Sequence, residues 1–133
     1  MDIRIYYEDT DAGGVVYHTN YLKYFERART ELFRSHGFYV AELAKNGFVF
    51  PVVRLEIDFK APAVHDDLLS VITYPVRVGG SSLTLCQKIV RHNDGKLLVE
   101  GVVTLACISP AFKARRIPLE IRQMLEAALE KVA

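Results

Sequence analysis

The chain has 133 residues, of which 17 are basic and 16 acidic, so its formal net charge is +1. Half of the residues are apolar and a quarter are charged, which is typical of a folded soluble domain and excludes a disordered chain. The near balance of charge argues against binding of bulk nucleic acid, which usually requires a marked basic excess. The length predicts a single domain over residues 1–133.

Two cysteines, Cys86 and Cys107, stand in apolar segments without the CxxC spacing of a metal or redox site. We expect both to be buried free thiols in a reducing compartment. The first residues lack the apolar run of a signal peptide, and no window approaches the ~20 apolar residues of a membrane-spanning helix. These features predict a cytoplasmic protein that does not insert into a membrane.

The first two predicted elements are a strand and a long helix. Ile3, Ile5 and Tyr7 alternate with polar residues, which predicts a strand with one buried face. Residues 20–36 predict an amphipathic helix of nearly five turns, and Gly37 is placed to end it. The apolar face of this helix is predicted to consist of Tyr21, Phe25, Ala28 and Leu32.

After a second short helix predicted within residues 38–46, the apolar period changes from 3.6 to 2, which indicates strands. Pro75 falls inside one of these strands and predicts a sheet edge or a bulge there. The turn signals between strands are Gly79-Gly80-Ser81 and Asn93-Asp94-Gly95. The predicted strands cover residues 52–60, 68–78, 82–92 and 96–108.

A last helix is predicted after Pro118, where Ile121, Leu125 and Leu129 have helical spacing. One long helix followed by strands joined through hairpins indicates an α+β layered arrangement. The antiparallel sheet is expected to bury one face on the long helix.

The segment YYEDTDAGGVVYHTN, residues 6–20, contains the strongest functional signal. A calcium loop is excluded because ligands are missing at Gly13 and Asn20. A Walker-type phosphate loop is excluded because Gly13-Gly14 is followed by valine rather than by Lys-Ser or Lys-Thr. A plain polar turn does not explain why Tyr17 and His18 stand between the glycines and a long helix.

A carboxylate, a histidine and the free N–H groups of a helix start could together serve an acyl-transfer site. The carboxylate would attack a carbonyl or activate water, and the helix N–H groups would stabilise the developing oxyanion. No GxSxG nucleophile elbow is present in the sequence. Asp11 is therefore the predicted reactive group of a hydrolase.

Three segments carry a family resemblance: YEDTDAGGVVYH at 7–18, NYL at 20–22 and FERARTE at 25–31. Together they resemble the hotdog-fold acyl-CoA thioesterases, and among these the bacterial Tol-Pal-associated branch related to 4-hydroxybenzoyl-CoA thioesterase. The resemblance covers nearly the whole chain, because the motif, the long helix and the strands follow in the family's order.

The resemblance implies a fold in which an antiparallel sheet of five or six strands wraps around a long central helix. It implies that two chains pair their sheets edge to edge and that the active site lies at the dimer interface. Such dimers often assemble into a homotetramer, and a dimer and a dimer of dimers both stay open at this point. It implies no metal and no cofactor, because coenzyme A arrives as part of the acyl-CoA substrate.

By the matching motif positions, the resemblance implies that Asp11 is the nucleophile or general base. Tyr7 and His18 would complete the catalytic set, with His18 orienting the carboxylate or protonating the leaving sulfur. The structural alternatives are a hydrogen-bonding role for His18 and a core position for Tyr7. Asp9 is interpreted as a structural residue that caps the turn through its side chain.

Substrate contacts are expected from two places. Beside Asp11 they are Gly13, Gly14, Val15, Val16 and Tyr17. In the hotdog fold the loop carrying Gly79, Ser81 and Ser82 joins two strands near the nucleotide channel, so it is predicted to contact phosphate. Further candidates are the basic Lys60, Arg77, Arg91, Lys113, Arg115 and Arg116 for phosphate, and the apolar Phe48, Val52 and Val53 for the acyl group, while His36, His65 and His92 are expected at the surface.

Two other functions remain open at this point. A hotdog hydratase or dehydratase would transfer protons instead of attacking a carbonyl, but its Asp-x-Asn-Pro-x-His motif is absent after Asp11. A non-catalytic acyl-binding or scaffold protein would not require the intact motif.

Overall fold

The computed structural model describes residues 1–132 of the chain, and side chains up to residue 129; Ala133 lies outside the described part. The five strands form one antiparallel sheet in the order β1-β3-β4-β5-β2. The elements in chain order are β1 (Asp2–Arg4), α1 (His18–Ser35), α2 (Val40–Lys45), β2 (Val52–Phe59), β3 (Leu68–Val78), β4 (Ser82–Arg91), β5 (Leu97–Ala106) and α3 (Leu119–Val132). The predicted α+β fold class is confirmed, and the strand count is at the lower end of the expected range.

Helix α1 packs on one face of the sheet through the residues that helical spacing selects. Tyr21, Phe25 and Ala28 are buried as predicted, whereas Leu32 is only half-buried and Phe33 takes the inward position. The sheet side of the core consists of Leu69, Val71, Ile89, Leu98 and Val99 near the first half of α1, and of Leu83, Leu85, Val103 and Leu105 near Phe33 and α3. Each fully buried side chain of this size stabilises the fold by about 1.5–3 kcal/mol.

The N-terminal strand is shorter than predicted. β1 ends at Arg4, and a 3₁₀ turn over Tyr7–Asp9 follows it. The Asp9 carboxylate accepts the Tyr6 N–H at 2.8 Å and closes this turn, which the alternation of apolar residues does not reveal. Tyr7 is consequently 79% exposed, so the expectation of a core position for it is wrong.

Strand β2 forms an edge of the sheet, because only β5 pairs with it. Leu55 and Ile57 are half-buried against the core, but Val53 is 61% exposed and Phe59 is 48% exposed. The predicted alternation is therefore present, while the predicted burial is incomplete. An edge strand with exposed apolar side chains is a site at which another strand can pair.

The local signals for the remaining elements are confirmed. The register of β3 against β4 shifts between Pro75 and Arg77, which is the predicted bulge. Gly37 and Gly95 have φ values of +85° and +67°, as required where α1 ends and where β4 turns into β5. The two cysteines are buried and free, as predicted.

Candidate active site

The segment before α1 forms a tight hairpin that carries Asp11. The Asp11 N–H donates to the Val15 carbonyl at 2.9 Å, and the Tyr17 N–H donates to the Asp9 carbonyl at 3.0 Å. Gly14 takes the turn between them with φ of +82°, which an L-residue rarely adopts. Asp11 stands opposite Val15, and α1 begins at His18. With a strand rise of ~3.4 Å per residue, Asp11 lies about 10 Å along the hairpin from the start of α1.

The Asp11 carboxylate is exposed and oriented by a neighbouring main-chain group. Its Oδ1 atom accepts the Gly13 N–H at 2.8 Å, which is an Asx turn. The other carboxylate oxygen has no hydrogen-bond donor among residues 1–129, whose side chains the structure describes. A Cβ atom at position 13 would lie 3.2 Å from Oδ1, which is a tight contact. Glycine at this position therefore allows the main chain to approach the carboxylate closely. One oxygen therefore fixes the side chain and the other is free to react.

Helix α1 begins two residues earlier than predicted, with His18 as its first residue. Its N-cap is Tyr17, whose side chain makes no capping hydrogen bond. Helices usually begin with Ser, Thr, Asp or Asn, which bind the first free N–H groups. No acceptor in the described part of the chain binds the N–H of His18 or of Thr19. Uncapped N–H groups at the positive end of a helix form a site for an anionic oxygen.

The His18 ring lies in an aromatic setting and does not bind Asp11. Its centroid is 4.6 Å from that of Tyr17 and 6.0 Å from that of Phe59. No hydrogen bond joins the His18 ring to any described residue, so the structure does not support the prediction that His18 orients the carboxylate. Tyr7 contacts His65 edge-on at 6.1 Å and likewise makes no hydrogen bond to Asp11.

The loop is held against α1 by Asp9 and Asn20. The Asp9 carboxylate binds within its own turn, which confirms its structural assignment. Its carbonyl accepts the Asn20 side-chain N–H at 2.9 Å. The sequence analysis assigns no such contact to Asn20, although a polar side chain in the first turn of a helix is the signal that could have indicated it.

A cavity of about 240 Å³ opens beside His18. Val16 lines this cavity and is held in place at two points. The Val16 N–H donates to the Ala63 carbonyl at 2.9 Å, and the Val16 side chain is buried. The Tyr21 hydroxyl accepts the Ala63 N–H at 3.0 Å, and burial raises the pKa of that hydroxyl. Among the predicted phosphate ligands only Lys60 lies here. The lining residues are Val16, His18, Tyr21, Phe59, Lys60, Ala61 and Pro62.

The second predicted binding segment lies at the far end of the sheet. The Asp11 loop contacts Ala63 and Val64, shortly before β3, whereas Gly79 and Ser81 follow the end of β3. The 11 residues of β3 span about 33 Å at the usual strand rise. Within one chain the structure therefore does not bring the loop at residues 79–82 to Asp11.

Three guanidinium groups converge on this distant loop. A Cβ atom built on Gly79 would lie 2.8 Å from Arg77 Nη1, and one built on Gly80 would lie 4.0 Å from both Arg116 Nη1 and Arg122 Nη1. Arg77 also donates to the Ser82 hydroxyl at 2.9 Å, as expected if this side chain orders the loop. Arg122, which also pairs with Glu126 at 2.9 Å, was not among the predicted ligands.

Two of the predicted phosphate ligands are already engaged within the chain. Arg91 has an 18% exposed side chain and forms ion pairs with Asp67 at 3.8 Å and Asp94 at 3.5 Å. The Arg115 guanidinium lies 3.8 Å from the centre of the Phe48 ring and donates to a main-chain carbonyl at 2.8 Å. These contacts correct the assignment of both arginines, and they place Phe48 beneath Arg115.

The remaining surface predictions are confirmed, since His36, His65 and His92 are all exposed. No set of three or more His, Cys, Asp or Glu side chains in the described residues is arranged to hold a metal ion. None of the helices described in residues 1–132 has the length and apolarity needed to cross a bilayer.

Comparison with known proteins decides the family. Residues 13–98 match the family model described as the thioesterase superfamily, which covers more than half of the chain. The chain belongs to the thioesterase superfamily. The matched segment includes Gly13 and Gly14, both α1 and α2, the strands β2 to β4 and the first two residues of β5, and it begins two residues after Asp11.

Individual members of the thioesterase superfamily align over most of this chain. Acyl-CoA thioester hydrolase YbgC of Escherichia coli O6:H1 is 42% identical over 120 residues, covering 90% of this chain and 89% of that protein. Acyl-CoA thioesterase YbgC of Haemophilus influenzae is 43% identical over 107 residues, covering 80% and 77%. The crystal structure of a probable thioesterase from Bartonella henselae is 38% identical, with a TM-score of 0.83 over 89% of this chain and 97% of that chain. The hotdog fold implied by the resemblance is confirmed.

Proposed function

We propose that this thioesterase hydrolyses acyl-CoA thioesters to a free acid and CoA, with Asp11 as the nucleophile or general base. The observation that carries the proposal is an exposed carboxylate, oriented through Gly13, in the hairpin that leads into the uncapped start of α1. The similarity to proteins named as acyl-CoA thioester hydrolases supports the choice of substrate. It also favours hydrolysis over the hydratase and scaffold alternatives.

The N–H groups of His18 and Thr19 are proposed to bind the thioester carbonyl oxygen. Negative charge develops on this oxygen when the carbonyl carbon is attacked, and the helix start offers two donors together with its dipole. One such donor typically lowers the barrier by about 2.7–4 kcal/mol. Because no side chain caps α1, the donors are available without displacing a protein group.

Two chemical routes fit the free oxygen of Asp11. In the first, the carboxylate attacks the carbonyl carbon and the CoA thiolate leaves, which forms an anhydride that water then hydrolyses. In the second, Asp11 takes a proton from water while the water oxygen attacks, and the proton passes to the departing thiolate. A thiolate leaves readily, so neither route requires a serine nucleophile.

His18 and Tyr7 are proposed as supporting catalytic residues with different structural backing. His18 has free ring nitrogens at the first position of α1, which suits donation of a proton to the leaving sulfur. Tyr7 would need to act from an exposed position in the 3₁₀ turn. Gly14, Val15 and Tyr17 are proposed to contact substrate through the hairpin, and the cavity beside His18 to accept the part of the substrate next to the thioester.

Pairing of two chains through β2 would complete this site. Antiparallel pairing of the two edge strands would set the Phe59 end of one strand beside the Val52 end of the other. The far end of the sheet, with Gly79, Ser81 and Ser82, would then lie on the same side of the dimer as the partner's Asp11. Exposed Val52, Val53 and Phe59 on this edge support the proposal.

The dimers are further proposed to form the homotetramer implied by the resemblance. Ile72 and Val102 are 45% and 38% exposed on the sheet face that points away from α1. Apolar side chains at this position support contact between the backs of two sheets. Sedimentation equilibrium would distinguish the dimer from the tetramer.

The cluster of Arg77, Arg116 and Arg122 is proposed to bind the phosphates of CoA. Guanidinium groups bind phosphate in a bidentate manner, and the glycine loop leaves room for a close approach. Arg116→Ala is expected to raise KM for acyl-CoA while leaving KM for the matching acyl-pantetheine unchanged, because pantetheine lacks the nucleotide. An equal effect on both substrates would refute the assignment.

The direct test of the function is release of free CoA from acyl-CoAs with short, long and aromatic acyl groups, measured with a thiol reagent. Turnover of at least one class is expected. Absence of turnover across the whole panel would refute the proposal. Repeated turnover in ¹⁸O-labelled water then tests for the first route, since label that enters the Asp11 carboxylate indicates an anhydride opened by water at the Asp11 carbon.

A further inference from the structure

Gln87 is the one polar side chain that is completely buried in the part of the chain that the structure describes. It lies in the middle of β4 and faces α1. Across the sheet it stands in register with Thr73 on β3 and with Gly101 on β5. A buried amide is costly unless it is fully hydrogen-bonded, so its partners indicate what it does.

The Gln87 amide binds three groups, and one of them is the backbone of α1. Its Nε2 atom donates to the Phe25 carbonyl at 2.9 Å and to the Thr73 hydroxyl at 2.9 Å. Its Oε1 atom accepts from Arg29 Nη1 at 3.0 Å. Both N–H groups and the oxygen are thereby used.

The bond to Phe25 holds α1 to the sheet at one defined point. A carbonyl within a helix already accepts the N–H four residues later, so Gln87 uses its second lone pair. Directly beside this bond, a Cβ atom on Gly101 would lie 2.7 Å from the Phe25 ring, so the helix sits close to the sheet here. Apolar contacts are non-directional and permit small sliding or tilting, whereas a hydrogen bond to the backbone does not.

A small tilt at this point would move the proposed oxyanion donors. His18 precedes Phe25 by seven residues, which is about 10.5 Å along the helix axis. A tilt of about 5° around Phe25 would therefore displace the first turn of α1 by about 0.9 Å. A misplacement of about 1 Å can lower a catalytic rate by about 10²-fold.

We propose that Gln87 is a positioning residue for thioester hydrolysis. By binding the Phe25 carbonyl it fixes α1 on the sheet and so holds the N–H groups of His18 and Thr19 where the thioester carbonyl oxygen binds. Gln87 itself contacts no substrate, and the inference rests on the proposed function.

Three variants test the inference. Gln87→Met keeps the length of the side chain but removes all of its hydrogen bonds. Gln87→Glu keeps an acceptor for Arg29 but cannot donate to Phe25 when ionised. Both are expected to lower kcat by about 10-fold, within the range that sub-ångström misplacement allows, with KM unchanged within about twofold because the groups proposed to bind CoA lie elsewhere. Thr73→Val is the matched control, since it removes the other acceptor of Nε2 and is expected to keep kcat within about twofold.

A second measurement does not depend on activity. Amide hydrogen exchange in the first turn of α1, followed by NMR without substrate, is expected to be faster in Gln87→Met than in the wild type and unchanged in Thr73→Val. Unchanged exchange together with unchanged kcat in Gln87→Met, or an equal loss in Thr73→Val, would overturn the positioning role. If the wild type hydrolyses no acyl-CoA, the proposed function fails, while the exchange result still decides whether Gln87 anchors α1.

Discussion

Replacement of Asp11 by Asn tests the proposed chemistry with little disturbance of the loop. The asparagine side-chain oxygen can still accept the Gly13 N–H that Asp11 Oδ1 accepts at 2.8 Å, so the Asx turn is retained. What the substitution removes is the negative charge and the basicity of the second, free oxygen. Asp11→Ala would remove the turn as well, so Asn is the more informative change.

The expected effect of Asp11→Asn is large on turnover and small on stability. A positioned general base contributes about 10²–10⁴-fold in rate, which corresponds to about 2.7–5.4 kcal/mol of the barrier. Because the Asp11 side chain is exposed and keeps its one hydrogen bond, the free energy of unfolding should change by no more than about 0.5 kcal/mol. We expect kcat to fall with KM nearly unchanged, since the carboxylate acts in the transition state.

The assay is release of CoA with a thiol reagent, combined with urea denaturation for stability. Asp66→Asn is the matched control, because Asp66 is another exposed loop carboxylate, with its side chain 87% exposed and φ of +73°. Asn tolerates this backbone conformation, so the control changes the charge without straining the loop. A kcat for Asp11→Asn within threefold of wild type, in a folded protein, would refute the assignment of Asp11.

Three further outcomes are expected. Gly101→Ala should lower the free energy of unfolding by about 1–3 kcal/mol in urea denaturation, because its Cβ would lie 2.7 Å from the Phe25 ring. Both cysteines are buried, so the native protein should not react with a thiol reagent during a CoA-release assay, while the denatured chain should expose 2 thiols. Hydrogen bonds with His92 and Ser70 lower the pKa of Asp2. The stability that Asp2 contributes should therefore be present above the ordinary carboxyl pKa of about 4 and be lost as the pH falls below it. An Asp2→Asn variant should lack this acid-dependent part of the free energy of unfolding, measured from pH 6 to pH 2.

The elements predicted correctly are those whose signals are local. Helical spacing selected Tyr21 and Phe25 as the inward face of α1, because a residue's direction on a helix is set by its position in the chain. Glycine signals marked the end of α1 and the hairpin between β4 and β5, since these backbone conformations require positive φ. The structural assignment of Asp9 is confirmed, since its carboxylate closes its own turn.

The errors and omissions concern contacts between segments distant in the chain. Tyr7 fits an alternating strand pattern, but the Asp9 side chain ends the strand early and leaves the tyrosine exposed. The sequence indicates Arg91 as a candidate phosphate ligand, but in the fold its guanidinium group forms an ion pair with Asp67. Arg122 has an ordinary helical position, and only the packing of α3 brings it to the glycine loop.

The sequence alone was sufficient for the fold class and the order of the elements, because periodicity, turn residues and a contiguous motif are all properties of neighbouring residues. The same motif is the source of the prediction that Asp11 is the reactive carboxylate. The tertiary structure decided where the parts of the site lie relative to one another. In the fold, the glycine loop lies the length of β3 away from Asp11, and β2 is an edge strand that pairs on one side only. It also set a single buried amide, Gln87, against the backbone of α1. Such placements depend on which strands pair and how closely a helix approaches them, and no stretch of sequence contains that information by itself.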